Sequence, residues 1–179
     1  MAHRNDLINE LIQIRPKRRL AQEPFQQNFS HLDLSWADFD FNKWSRVHPR
    51  FESHPGCIVD LGCLGWNRDF NDPNSDNWSG YFFGRKRVIG VDPQESPNEK
   101  AELFKGFVAN FNGKGKLAST GIGASLVRDS HGEYDVLTFR EFRKNYDISD
   151  VSILKINIEG SEWGLIESLN PSDLQGVDQ

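Results

Sequence analysis

Cys57-Ile58-Val59-Asp60-Leu61-Gly62-Cys63-Leu64-Gly65 is an apolar run with a single acid that opens into two glycines three residues apart. A short, uninterrupted run of this kind suits a parallel strand buried on both faces, and the glycines suit a tight turn at its carboxyl end. Arg87-Val88-Ile89-Gly90-Val91-Asp92 repeats the arrangement, a second buried strand ending in an acid and closed by Pro93. Ser96 as N-cap and Pro97 in the first turn predict a helix with the apolar face Ala101, Phe104, Val108 and Phe111, ended by Asn112-Gly113. Lys116 to Ile122 reads as a third strand finishing in Gly121-Ile122-Gly123. Ala124–Val127 and Tyr134–Phe139 flank Ser130-His131-Gly132 as an inserted hairpin. Glu141–Tyr146 and Ser161–Leu169 read as helices on either side of a further strand, Ile153–Ile158. Strands alternating with helices predict an α/β fold, a mostly parallel sheet flanked by helices.

Outward from this region the texture changes. Residues 1–55 hold one helical stretch, Asp6–Ile14, stopped by Pro16, and an aromatic-rich segment with Trp36, Phe39, Phe41 and Trp44. They read as an N-terminal extension, and residues 56–179 as the ligand-binding domain. At 179 residues the chain has length for one domain, and 37% hydrophobic with 12% aromatic residues can build a core. The net charge is -5, with residues 1–20 carrying five basic against two acidic side chains. An acidic body argues against a nucleic-acid partner. No apolar run reaches the roughly 20 residues that cross a bilayer, and the first residues lack a signal-peptide core. Cys57 and Cys63, the only two cysteines, are too few for a disulfide framework or a zinc site, so free thiols and a cytoplasmic location are expected and no metal.

In open α/β sheets, ligands sit beyond the carboxyl ends of the strands. Gly62 and Gly65 could serve a dinucleotide turn, but Asp60 would repel a pyrophosphate. An acid there suits a ligand with an ammonium or another positive centre, which favours S-adenosylmethionine over NAD. Asp92, one strand later, is placed to accept hydrogen bonds from ribose hydroxyls.

Val59-Asp60-Leu61-Gly62-Cys63-Leu64-Gly65-Trp66 resembles the first motif of class I S-adenosylmethionine-dependent methyltransferases, and Val88-Ile89-Gly90-Val91-Asp92-Pro93 their second. Ile153-Leu154-Lys155-Ile156-Asn157-Ile158-Glu159-Gly160-Ser161-Glu162 resembles the signature of the FkbM family within that class, and Thr138-Phe139-Arg140-Glu141-Phe142 the threonine-centred segment before it. The resemblance covers roughly two-thirds of the chain, Cys57 to Leu169. It implies a Rossmann-like fold and S-adenosylmethionine as cofactor. Asp60 would then lie near the methionine ammonium, and Gly62 and Gly65 would let the backbone approach, with Cys63 lining the turn. Asp92 would hold the ribose, Pro93 would shape its turn, and Ile122 and Gly123 would border the adenine. For Ile122 and Gly123 an ordinary strand terminus is an equal alternative.

Two departures stand out. Asn157 occupies the position of the family's aspartate, and the class fold carries further strands beyond the signature helix, where this chain ends at Gln179. A truncated carboxyl end would leave a sheet edge through which copies could associate. Alternation along the last strand puts Lys155, Asn157 and Glu159 on one side, a polar stripe that is costly unless paired or functional. Glu159 is the expected base toward a hydroxyl acceptor, with Asn157 and Lys155 beside it. Glu162 reads first as a helix N-terminal acid and His131 as a hairpin tip. The resulting expectation is O-methylation of a sugar or glycolipid-like hydroxyl. The alternative is a catalytically inactive methyltransferase-like domain that binds a nucleoside or a partner.

Overall fold

A computed structural model describes residues 53–69, 77–119 and 124–177. The expected N-terminal extension, apart from its last three residues, and the expected adenine neighbours Ile122 and Gly123 lie outside the described residues. The described part is α/β, with strands β1 (Cys57–Leu61), β2 (Val88–Val91), β3 (Glu102–Phe104), β4 (Phe107–Ala109), β5 (Gly113–Leu117), β6 (Leu126–Arg128), β7 (Tyr134–Thr138) and β8 (Val151–Ile156). Its α-helical content is low. Helices α1 (Phe139–Asn145) and α2 (Glu162–Ser168) have seven residues each, and short 3-10 turns cover Ser79–Phe82 and Pro171–Asp173.

The first sheet has the order β3-β2-β1-β8 and is parallel throughout. β1 is buried along its whole length, as its uninterrupted apolar sequence requires. Alternate side chains divide between two cores. Cys57, Val59 and Leu61 join Ile89, Val91, Phe139, Phe142 and Leu165 on one side. Ile58 joins Phe82, Val88 and Ile153 on the other. Ser152 sits at a register shift where β8 meets the start of β1, and its buried hydroxyl donates to the Gly56 carbonyl at 3.0 Å. This shift sets the rest of the pairing, so that Asp60 lies opposite Lys155.

The second sheet has the order β4-β7-β5-β6. β4 runs parallel to β7, and β5 is antiparallel to both β7 and β6. Two expectations are corrected here. The predicted helix after Pro97 is instead β3 and β4, separated by Lys105-Gly106. A Cβ at Gly106 would lie 2.5 Å from the Asp135 carbonyl oxygen, so the chain crosses between sheets at a point where only glycine fits. The predicted hairpin is also different. β6 and β7 do not pair with each other, because β5 lies between them. The connection through Gly132 passes over Gly115, whose carbonyl oxygen would be 2.2 Å from a Cβ at Gly132.

The strand around Cys57, the strand ending at Asp92 and the two helices agree with expectation within a few residues. β8 stops at Ile156, so Asn157 and Glu159 follow the strand rather than belonging to it. β8 is an edge of its sheet among the described residues, bridged at Val151 by Val177. Both cysteines are buried free thiols. No helix among the described residues is long and apolar enough to cross a membrane.

Candidate functional site

Strand order reverses at β1. The chain steps outward from β1 to β2 and β3, then returns to place β8 on the opposite side of β1. The crevice at such a reversal, beyond the carboxyl ends of the strands, is where open α/β sheets accommodate ligands. An open cleft lies there, walled by Gly62 and Leu64 after β1, Asp92 and Pro93 after β2, and Asn157 and Glu159 after β8. The second sheet supplies its apolar wall, with Phe107 and Val108 from β4, Leu117 from β5 and Leu126 from β6.

Gly62 is held between the neighbouring strands. Its amide donates to the Val91 carbonyl at 2.8 Å, while the Asn157 amide donates to the Leu61 carbonyl at 2.9 Å. With φ at +81°, a Cβ at Gly62 would lie 1.8 Å from the Asn157 carbonyl oxygen. The turn continues through Gly65, at φ +93°, with the Trp66 amide bonded to the Cys63 carbonyl and the Arg68 amide to the Gly65 carbonyl. Residues 63–69 thus form successive turns and no helix.

Asp60 and Lys155, both expected at the site, are brought together. Lys155 Nζ lies 2.8 Å from Asp60 Oδ1 and also donates to the Gly62 carbonyl. Asp60 is 2% exposed, and neither residue forms part of the cleft wall. Of the expected polar stripe only Lys155 lies within the sheet, and its pairing with Asp60 is what makes it tolerable there. Asp60 meets Lys155 where a ligand ammonium was expected, and Lys155 anchors the glycine turn where a place beside the acceptor was expected. Cys63 also points away from the cleft. A Cβ at Gly90 would lie 2.6 Å from Cys63 Sγ and 2.4 Å from the Trp66 ring, so β2 is scooped out to receive both side chains. Burial, then the charges of Asp60 and Asp92, push the Cys63 thiol up, which makes it an inert core group.

Asp92 is buried, lines the cleft and accepts the Gln94 amide at 2.8 Å. Burial holds its carboxyl above the usual carboxylate range, opposed by the Gln94 amide and reinforced by the neighbouring Glu95 charge. Glu95 is a buried acid that the sequence reading missed. It accepts the Gly65 and Ser96 amides and the Asn67 side chain, and so ties the glycine turn to the segment after β2. Trp66 Nε1 reinforces that tie by donating to the Ser96 carbonyl at 2.9 Å. No sequence pattern marks Glu95 as a latch, since Gly65 and Asn67, which it ties down, lie about thirty residues away.

Asn157 and Glu159 are exposed on the cleft wall. Glu159 sits at φ +49° and Gly160 at φ +91°, a left-handed turn held by Glu162, whose carboxylate accepts the Ile158 amide at 3.1 Å and the Gly160 amide at 2.8 Å. Glu162 thus shapes the Glu159 turn. His131 lies in the Asp129–Gly132 turn, where its amide bonds to Asp129, and it is not part of the cleft wall. Among the described residues no cluster of His, Cys, Asp and Glu has the form of a metal site. No protein-family model, curated protein or solved structure matches the chain.

Proposed function

We propose that the chain is an S-adenosylmethionine-dependent methyltransferase with a Rossmann-like core, acting on a hydroxyl of a sugar or glycolipid-like acceptor. The observation that carries this reading is the buried Asp92 at the carboxyl end of β2, facing a cleft that opens where strand order reverses at β1. The residues present fit the cofactor. Asp92 is an acceptor for ribose hydroxyls, Gly62 allows close backbone approach, and the Phe107–Leu117–Leu126 wall suits a flat apolar base.

When bound, the cofactor supplies an activated methyl group. The chain's own contribution is alignment and proton handling. Glu159, exposed at the β8 end of the cleft, can accept the proton of an acceptor hydroxyl, and Asn157 can hydrogen-bond the same group. The Lys155–Asp60 pair and the Glu95 latch hold the glycine turn so that these groups keep their places.

Calorimetry with S-adenosylhomocysteine and with NAD tests the cofactor. Binding of the former alone is expected, and binding of NAD alone contradicts the reading. Transfer of a labelled methyl group to hydroxyl acceptors then tests the reaction, and Glu159→Gln should lower turnover by about 10²–10⁴-fold with little change in cofactor affinity. A second reading, a binding module without turnover, is favoured by Asn157, which puts an amide on the cleft wall where the family resemblance has a carboxylate. Binding without transfer, unrestored by Asn157→Asp, would select it.

A further inference from the structure

We propose that Glu162 is a positioning residue for Glu159: its carboxylate holds the Glu159 backbone in a conformation that glutamate disfavours, and so delivers the Glu159 side chain to the cleft. This assignment rests on the methyltransferase reading above and deepens it by naming what aims the base.

Glu159 carries a cost that nothing in the described protein repays. The Ser161 amide reaches the Ile158 carbonyl at 3.4 Å across Glu159 and Gly160, whose φ values of +49° and +91° are those of a type I′ turn. Glycine, asparagine and aspartate dominate such turns, because the left-handed region crowds a larger side chain. Gly160 suits its position and Glu159 does not. The other described non-glycine residue at positive φ is Asp147, a type that tolerates it. Backbone strain of this kind persists only where the surroundings over-determine it, and it collects at functional sites. The Glu159 side chain has no hydrogen bond or ion pair among the described residues, and it is exposed on the cleft wall. The return on the strain therefore belongs to something bound in the cleft.

The turn is held from both sides. Before it, the Asn157 amide is bonded to the Leu61 carbonyl at 2.9 Å, and Ile158 packs against the main core. After it, Glu162 folds back. One of its carboxylate oxygens accepts the Ile158 amide at 3.1 Å and the other accepts the Gly160 amide at 2.8 Å. These two amides flank Glu159, so a single carboxylate clamps the residue between them. Hydrogen bonds from amides to an ionised acceptor are stronger than neutral ones, which suits them to hold a strained residue.

The test separates strain from catalysis. Without cofactor, denaturant midpoints are compared for the wild-type chain, Glu159→Gly, Glu162→Ala and the double variant. Glu159→Gly should raise the midpoint, and Glu162→Ala should lower it less in the Glu159→Gly background than in wild type. A lower midpoint in Glu159→Gly, or equal losses from Glu162→Ala in both backgrounds, overturns the clamp. Kinetics then use S-adenosylmethionine with octyl glucoside, a sugar hydroxyl on an alkyl tail, as the probe acceptor. Glu162→Ala should lower kcat by about 10- to 100-fold and change KM for either substrate by less than twofold. Glu162→Gln, which keeps one acceptor oxygen, should recover part of the loss. Unchanged affinity for S-adenosylhomocysteine shows that each variant is folded. In the Glu159→Gln background, Glu162→Ala should cause no further loss of kcat, because Glu162 acts through Glu159. Losses that multiply, or an unchanged kcat in Glu162→Ala, overturn the assignment and leave the methyltransferase reading standing. Absence of methyl transfer by the wild-type chain overturns the acceptor reading and the assignment together.

Discussion

Gly62 is required by the strand beside it before any ligand is considered. A Cβ there would overlap the Asn157 carbonyl at 1.8 Å, and φ is +81°. Gly160 is the natural control, with φ at +91° and open space around it. Gly160→Ala should cost only the conformational term, about 1–3 kcal/mol. Gly62→Ala should cost clearly more, read from denaturant midpoints of the two variants; equal losses would mean that close approach does not fix Gly62. Asp92 predicts a pH dependence. Its folded carboxyl is raised above the ordinary range, first by burial, so the folded state binds the proton more tightly than the unfolded chain does. Stability falls as pH rises from the ordinary carboxylate range through the raised value. Asp92→Asn should therefore be more stable than wild type at neutral pH, with the gain shrinking on acidification. A gain independent of pH would argue against a buried, costly carboxylate. The sequence marked Asp92, Gly62 and Glu159 by type and position, and all three border the cleft. It marked Asp60 and Lys155 as well, but their mutual pairing depends on the register set at Ser152, which side-chain pattern alone does not encode.

Among elements, those with strong local signals were legible. β1 and β2 are apolar runs closed by Gly62 and Pro93, and α1 starts at Phe139, two residues before the expected Glu141, where Thr138 accepts the Glu141 amide. The segment after Pro97 was not legible, because Ala101, Phe104, Val108 and Phe111 fit helical spacing equally well. In the fold Phe104 and Val108 pack against the same core from two strands on either side of Gly106. Tertiary pairing overrides the periodicity there. The end of the described chain depends on charge. Asp173 is held below the ordinary carboxylate range, chiefly by its hydrogen bond from Arg140 and then by the Asn170 amide. A depressed folded pKa contributes stability above the ordinary value and loses it as pH falls through the folded one. Protection factors of the amides around residues 170–177, with exchange corrected for its intrinsic pH dependence, should fall on acidification below the ordinary carboxylate range, and Asp173→Asn should show lower protection at neutral pH with less acid sensitivity. Unchanged exchange in both would remove the pair from the account of this segment.

At the scale of the molecule, the order β3-β2-β1-β8 does what neither residue nor element does alone, because it brings three strand ends from distant parts of the sequence to one cleft. The sequence supported a parallel sheet through its alternation of strands and helices, yet the second sheet, which supplies the apolar wall, arises from long-range pairing across β5 and could not be read locally. The most direct measurement of the central claim is a titration of the isotope-labelled chain with S-adenosylhomocysteine, followed through backbone amide resonances. Shifts are expected to concentrate at Gly62–Arg68, Asp92–Gln94, Phe107–Val108 and Asn157–Ser161, and to lose saturation at the same ligand concentration in Asp92→Ala. Saturable binding with shifts confined to other residues, or no shifts at any concentration, would contradict that claim.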